Sequence, residues 1–159
     1  MTRCYLDTNF LYAQLRAPRR AAPAQLESWR ARTLTELGDD SGVISALVID
    51  ELAYRLVLGW LRDRSDRDPL STYRTDPGTV TRSMRRRLAT TWRALDALDL
   101  ELEPTDRRVV DDAKALMGSP GLAPRDAFHT AHAQHADCAV IVSSNSSFDR
   151  VRGLRRLGP

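Results

Sequence analysis

Cysteine, lysine, histidine and long apolar runs are all scarce in this chain, and each shortage excludes something. Only two cysteines occur, Cys4 and Cys138, each inside a short apolar run, so both read as buried thiols of a reducing compartment. The longest apolar region, Val43 to Leu61, is interrupted by Asp50, Glu51 and Arg55, which excludes a bilayer span and leaves a buried helix. The opening Met1-Thr2-Arg3-Cys4-Tyr5-Leu6-Asp7 reaches a carboxylate before any signal-like apolar stretch has accumulated. A cytoplasmic protein without a membrane anchor is the expectation. Lys114 is the only lysine among 24 basic residues. Guanidinium forks match phosphate oxygens, so arginine bias with a net charge of +3 leans toward nucleic acid, although a genomic preference for arginine codons gives the same excess.

What is present suits one domain over residues 1–159, with 42% hydrophobic and 28% charged residues. Cys4-Tyr5-Leu6 reads as a buried strand that ends at Asp7-Thr8-Asn9, and helices are expected over Phe10 to Leu15 and Ala22 to Leu37. A turn follows over Gly38-Asp39-Asp40-Ser41-Gly42. Val43-Ile44 is a second strand, with Ser45 as N-cap of a helix from Ala46 to about Trp60. Residues 63–79, polar and broken by Pro69 and Pro77, read as a mobile loop, and Val80 to Leu98 as one amphipathic basic helix. Leu100-Glu101-Leu102 is a third strand, and Thr105 caps a helix to Met117. Pro124 opens the next helix, which carries Asp126 in its first turn. Strand Cys138 to Val142 then ends in Ser143-Ser144-Asn145-Ser146-Ser147. Short apolar strands alternating with helices imply an α/β fold with a parallel sheet covered on both faces.

In such a sheet ligands bind beyond the carboxyl ends of the strands, where Asp7 and the segment Ser143 to Asp149 both fall. Asp126 and Glu51 are the acids able to join them. Glu51 sits among Leu47, Val48, Leu52 and Tyr54, where an unpaired carboxylate is costly to bury. Two carboxylates about 4 Å apart repel by roughly 4 kcal/mol at an effective dielectric near 20, so a cluster calls for protons, arginines or a divalent cation. Mg²⁺ or Mn²⁺ suits carboxylate oxygens. The local alternative is that Asp7 caps a helix, Glu51 pairs with Arg55, and Asp126 offsets a helix dipole.

Other signals are less pointed. Arg82, Arg85, Arg86 and Arg87, with Arg152, Arg155 and Arg156, form either phosphate contacts or solvated faces. His129, His132 and His135 drift around a helix, which argues against a zinc site, while His129, one turn after Asp126, is placed to shuttle a proton. Trp29 and Trp92 suit either a groove for a partner peptide or core packing.

Four segments taken in order, Tyr5-Leu6-Asp7-Thr8-Asn9, Ser45-Ala46-Leu47-Val48-Ile49-Asp50-Glu51-Leu52, Arg125-Asp126-Ala127-Phe128-His129-Thr130-Ala131-His132-Ala133 and Ile141-Val142-Ser143-Ser144-Asn145-Ser146-Ser147-Phe148-Asp149-Arg150-Val151, resemble the PIN-domain family, particularly its VapC-type toxins. That resemblance implies a three-layer α/β/α sandwich around a parallel sheet of about five strands, and Mg²⁺- or Mn²⁺-dependent cleavage of RNA. It implies Asp7 and Asp126 as metal ligands, with Glu51 completing the set. It also implies a cognate antitoxin and a homodimer. The family usually places an Asp three residues before the Phe, where this chain has Asn145, so Asn145 and Asp149 are the further ligand candidates. That departure motivates a second reading, a catalytically weak module that binds RNA or a protein partner. An aspartyl phosphatase using Asp7 as nucleophile is a third, although Asn9 stands where such enzymes present an acid.

Overall fold

The structure is a computed structural model that describes residues 3–16, 23–38, 41–64 and 68–159. Five three-residue strands form its sheet: β1 (Cys4–Leu6), β2 (Val43–Ser45), β3 (Glu101–Glu103), β4 (Val140–Val142) and β5 (Arg155–Leu157). All pair in parallel in the order β3-β2-β1-β4-β5. β1, β2 and β4 are fully buried, which is why, Ser45 apart, they read as apolar runs without alternation. The edges differ. β3 presents Glu101 and Glu103, and β5 presents Arg155 and Arg156.

The chain steps from β1 to β2 to β3 in one direction, then returns past β1 to β4 and β5. Right-handed crossovers therefore place the connections of the two legs on opposite faces, which gives the three-layer α/β/α sandwich. The first leg carries α1 (Thr8–Arg16), α2 (Ala24–Leu37), α3 (Ala46–Arg64), α4 (Pro69–Thr75), α5 (Pro77–Ser83) and α6 (Arg85–Asp96). The return leg carries α7 (Arg107–Gly118) and α8 (Pro124–His135), packed against each other. A 3-10 helix, Ser146–Arg150, joins β4 to β5. Leu6, Val48, Leu52, Ala127, Ile141 and Phe148 belong to one continuous buried core. Because strand order reverses between β1 and β4, their carboxyl ends open a crevice there.

Several expected elements change. Residues 63–79 are not a loop among the described residues: α3 extends to Arg64, and α4 and α5 follow, while residues 65–67 lie outside the description. Pro69 and Pro77 start helices here instead of breaking them. Asp68 caps α4 by accepting from the N–H groups of Leu70 and Ser71, and Asp76 caps α5 by accepting from Thr79. The single basic helix expected from Val80 divides at the buried Met84 into α5 and α6. Ser45 does not cap α3, because its hydroxyl bonds Tyr5 across the sheet at 2.7 Å. Asp106, not Thr105, caps α7 through the N–H of Val109. The turn at 38–42 and the helix start at Ala22 lie partly outside the described residues.

Candidate metal centre

Asp7 follows β1 directly and Ser143 follows β4, and the N–H of Asp7 donates to the carbonyl of Val142 at 3.1 Å, locking the two strand ends together. The Asp7 side chain is buried, and its Oδ2 accepts from the Ser143 hydroxyl at 2.5 Å and from the Asn9 amide at 2.8 Å. Glu51 reaches the same place from α3, whose start immediately after β2 fixes its direction. Glu51 Oε2 accepts from Thr8 at 2.9 Å and lies 3.1 Å from His129 Nε2, while Oε1 lies 3.1 Å from the exposed guanidinium of Arg125. His129 Nε2 is also 3.7 Å from Asp7 Oδ1. One ligand atom each from Asp7, Glu51 and His129 fall within 4.8 Å of one another.

On each carboxylate, fixed donors hold one oxygen and leave the other less committed. Asp7 Oδ2 takes Ser143 and Asn9, and Glu51 Oε2 takes Thr8 and His129. Burial pushes the Glu51 carboxyl up, but the hydrogen bond and charge of His129, with Thr8 and Arg125, outweigh it and hold the group below its ordinary value. Glu51 is thus an anion despite its burial. Arg125 is its only arginine or lysine partner among the described residues, and that side chain is 63% exposed, free to leave for solvent.

Asp126 stands outside the converging group. Its Oδ2 accepts from the Ser147 hydroxyl at 2.7 Å, and a string of hydrogen bonds leads back to Asp7. Ser147 N–H donates to Asn145 Oδ1 at 3.0 Å, and Asn145 N–H donates to the Ser143 hydroxyl at 3.0 Å, which in turn donates to Asp7. Asp126 and Asp7 are therefore joined through three residues of one loop, not through direct contact. Asn145 spends its carbonyl oxygen on capping the 3-10 helix.

Asp149 does not join the cluster. Arg156 grips both its oxygens, at 2.8 and 3.0 Å, on the exposed surface, and holds its carboxyl below the ordinary range. The local alternative for Glu51 also fails, since Arg55 reaches Asn9 and lies over the Tyr12 ring at 4.6 Å. His129 enters the pocket, whereas His132 turns to Thr105 and His135 to Asp112, so the three histidines share no site. Trp29 is core: it is buried edge-on against Phe10 and donates to the carbonyl of Leu157. Trp92 is half-buried beside that core. Thr8, Ser143, Ser147 and Tyr5 were not singled out by sequence as site residues; the serine run marked a strand end, and only its place beside Asp7 shows its hydroxyls to be donors.

A sequence model of the PIN domain matches residues 4–154. The chain belongs to the PIN-domain family. Solved structures similar to this PIN domain include a toxin–antitoxin complex from Klebsiella pneumoniae, 15% identical with a TM-score of 0.59 over 96% of this chain and 95% of that one. FitAcB from Neisseria gonorrhoeae is 18% identical with a TM-score of 0.59, covering 97% and 96% of the two chains. VapBC2 from Rickettsia felis, bound to a DNA fragment from its promoter, is 17% identical with a TM-score of 0.55, covering 98% and 97%. At these identities the likeness is one of fold. No curated protein sequence matches the chain.

The donor set of this PIN domain fits a hard divalent cation. Two buried carboxylates brought together by separate elements, each with one oxygen occupied by fixed donors, leave a local negative charge met among the described residues by one histidine and one exposed arginine. No described helix is long and apolar enough to cross a membrane.

Proposed function

We propose that this PIN domain is a divalent-metal-dependent endoribonuclease, the toxin of a toxin–antitoxin pair. The observation that carries this reading is the meeting of Asp7 and Glu51 at the strand-order reversal, with Asp126 tied to Asp7 through Ser143, Asn145 and Ser147. Asp7 and Glu51 would hold the cation, Mg²⁺ or Mn²⁺, with Asp126 as the outer acid of the string. A bound cation of this kind supplies Lewis acidity toward a phosphodiester and makes water nucleophilic at neutral pH. Ser143, Asn9 and Thr8 hold the carboxylates in register, and Arg125 at the rim is positioned to meet a phosphate oxygen.

RNA as the substrate is supported by a polar surface cavity of about 570 Å³ lined by Arg64, Arg82, Arg85, Arg86 and Arg87. An antitoxin partner is supported by the kind of complexes the similar structures represent. It is also supported by an apolar groove of about 510 Å³ lined by Phe10, Leu11, Leu15, Leu34, Leu37 and Leu98, where Leu34 and Leu98 are more than half exposed. A homodimer is proposed on the family resemblance alone. The phosphatase reading loses its support, because Asn9 donates an amide to Asp7 and offers no acid.

RNA incubated with Mg²⁺ or Mn²⁺ should be cut by the native chain and not by Asp7→Asn or Glu51→Gln proteins. Equal cleavage by all three would remove the assignment. The second reading, a weak nuclease that chiefly binds, is favoured by one observation, the engagement of Asn145 in capping. An Asn145→Asp protein that cuts RNA where the native chain only binds it would establish that reading.

A further inference from the structure

His129 is 2% exposed, so its ring is fixed by what surrounds it. Nδ1 lies 3.0 Å from the Tyr5 phenol oxygen, and that oxygen lies 2.7 Å from Ser45 Oγ. Nε2 faces Glu51 at 3.1 Å and Asp7 at 3.7 Å. Tyr5 has no exposure to solvent, so its phenol is confined to these two partners.

We propose that His129 is a positioning residue: held at Nδ1 by Tyr5, it donates its Nε2 proton to Glu51, aligns that carboxylate with Asp7, and is not itself a ligand of the cation. The hydrogen-bond partners decide the tautomer. A bare Nε2 would aim its lone pair at two buried carboxylate oxygens, each of which can only accept. A protonated Nε2 makes a charge-assisted bond there instead. With that proton in place, Nδ1 is the acceptor for the Tyr5 hydroxyl, and Ser45 donates to the Tyr5 oxygen, so every proton in the row Ser45, Tyr5, His129, Glu51 points the same way. Thr8 and His129 then fix Glu51 Oε2 from two sides and leave Oε1, now beside the exposed Arg125, as the oxygen for the cation. The imidazole does for Glu51 what outer-layer partners do for metal-binding side chains generally: it sets orientation.

The role assigned to His129 rests on the proposed nuclease reading for what the pocket does, but the hydrogen-bond assignment stands apart from it. The first measurement is ring ¹H–¹⁵N correlation on the metal-free, full-length chain at mildly alkaline pH. The proton should reside on Nε2, and Tyr5→Phe should admit the other tautomer. A proton on Nδ1 in the native chain would overturn the assignment. The second is Mn²⁺ titration with calorimetry and electron spin-echo spectroscopy. His129→Ala should weaken Mn²⁺ binding by about 10- to 100-fold, and His129→Gln, whose amide still donates, should restore it to within about threefold. No nitrogen should couple directly to bound Mn²⁺, and a directly bonded nitrogen would overturn the proposal. If the native chain takes up no Mn²⁺ while Nε2 is protonated, the nuclease reading fails and the donor assignment survives.

Discussion

Two acidic places at the carboxyl side of the sheet use the same functional group to opposite ends. At the reversal between β1 and β4, Asp7 and Glu51 are buried among hydroxyls, an amide and an imidazole, and one guanidinium nitrogen of the exposed Arg125 touches a single Glu51 oxygen. At the rim beside β5, Asp149 is exposed and closed off by Nε and Nη2 of one guanidinium. On the proposed reading, what suits a carboxylate to a cation is less its position in a motif than the kind of donor that has reached it first. Neutral donors orient the group without cancelling its charge. A bidentate arginine cancels it.

That contrast can be tested from the largest effect downward. Asp7→Asn and Glu51→Gln should each lower metal-dependent RNA cleavage by about a hundredfold or more, read as kcat/KM under fixed Mn²⁺. Ser143→Ala and Asp126→Asn, which act through the string of hydrogen bonds, should cost about tenfold; an effect as large as that of Asp7 would mean that Asp126 binds the cation directly. Asp149→Asn should leave cleavage within about twofold. A hundredfold loss there would break the comparison outright.

Stability separates the same places. In the metal-free chain, Asp7→Asn should raise unfolding free energy by about 1 kcal/mol, because one of two crowded anions is removed while the oxygen facing Ser143 is retained. Urea denaturation without metal measures it, and a fall in stability would show the repulsion to be already neutralised.

A pH effect should come from behind the pocket. Burial, then the charges of His129 and His135, push His132 down to about 4, against 6.5 in an open chain. The folded state therefore prefers neutral His132. Its stability is complete above about pH 6.5 and declines as pH falls toward 4, where the unfolded chain binds the extra proton. Near pH 5 the native chain should lose about 2 kcal/mol more than a His132→Gln protein, as read from paired urea titrations. Parallel pH curves for the two proteins would contradict this.

Much of this was legible in the residues because the buried strands could be nothing else. Cys4-Tyr5-Leu6, Val43-Ile44 and Val140-Ile141-Val142 are apolar throughout, which a strand covered on both faces requires. β5 escaped such reading, since Arg155-Arg156-Leu157 at an open edge carries no apolar signature. The helices α4 and α5 were hidden because Asp-Pro serves equally as a turn and as a helix start, and only the hydrogen bonds of Asp68 and Asp76 distinguish the two. Asp7 and Glu51 stood out as costly acids. His129 stood out less, because its partners Tyr5 and Glu51 lie 124 and 78 residues away, and no local pattern reports such a meeting. Asp149 misled for the reverse reason: its captor, Arg156, belongs to the strand that sequence did not reveal.

The charged residues at the two borders of the sheet are already engaged within the chain, Glu101 of β3 with Arg3, and Arg155 and Arg156 of β5 with Glu36 and Asp149. A twofold assembly that extended the sheet by pairing a border with its own copy would have to break or bury these ion pairs. Self-association through such a ribbon is thereby discouraged at both flanks, and the carboxyl ends of β1 and β4 sit well inside the sheet, away from either border.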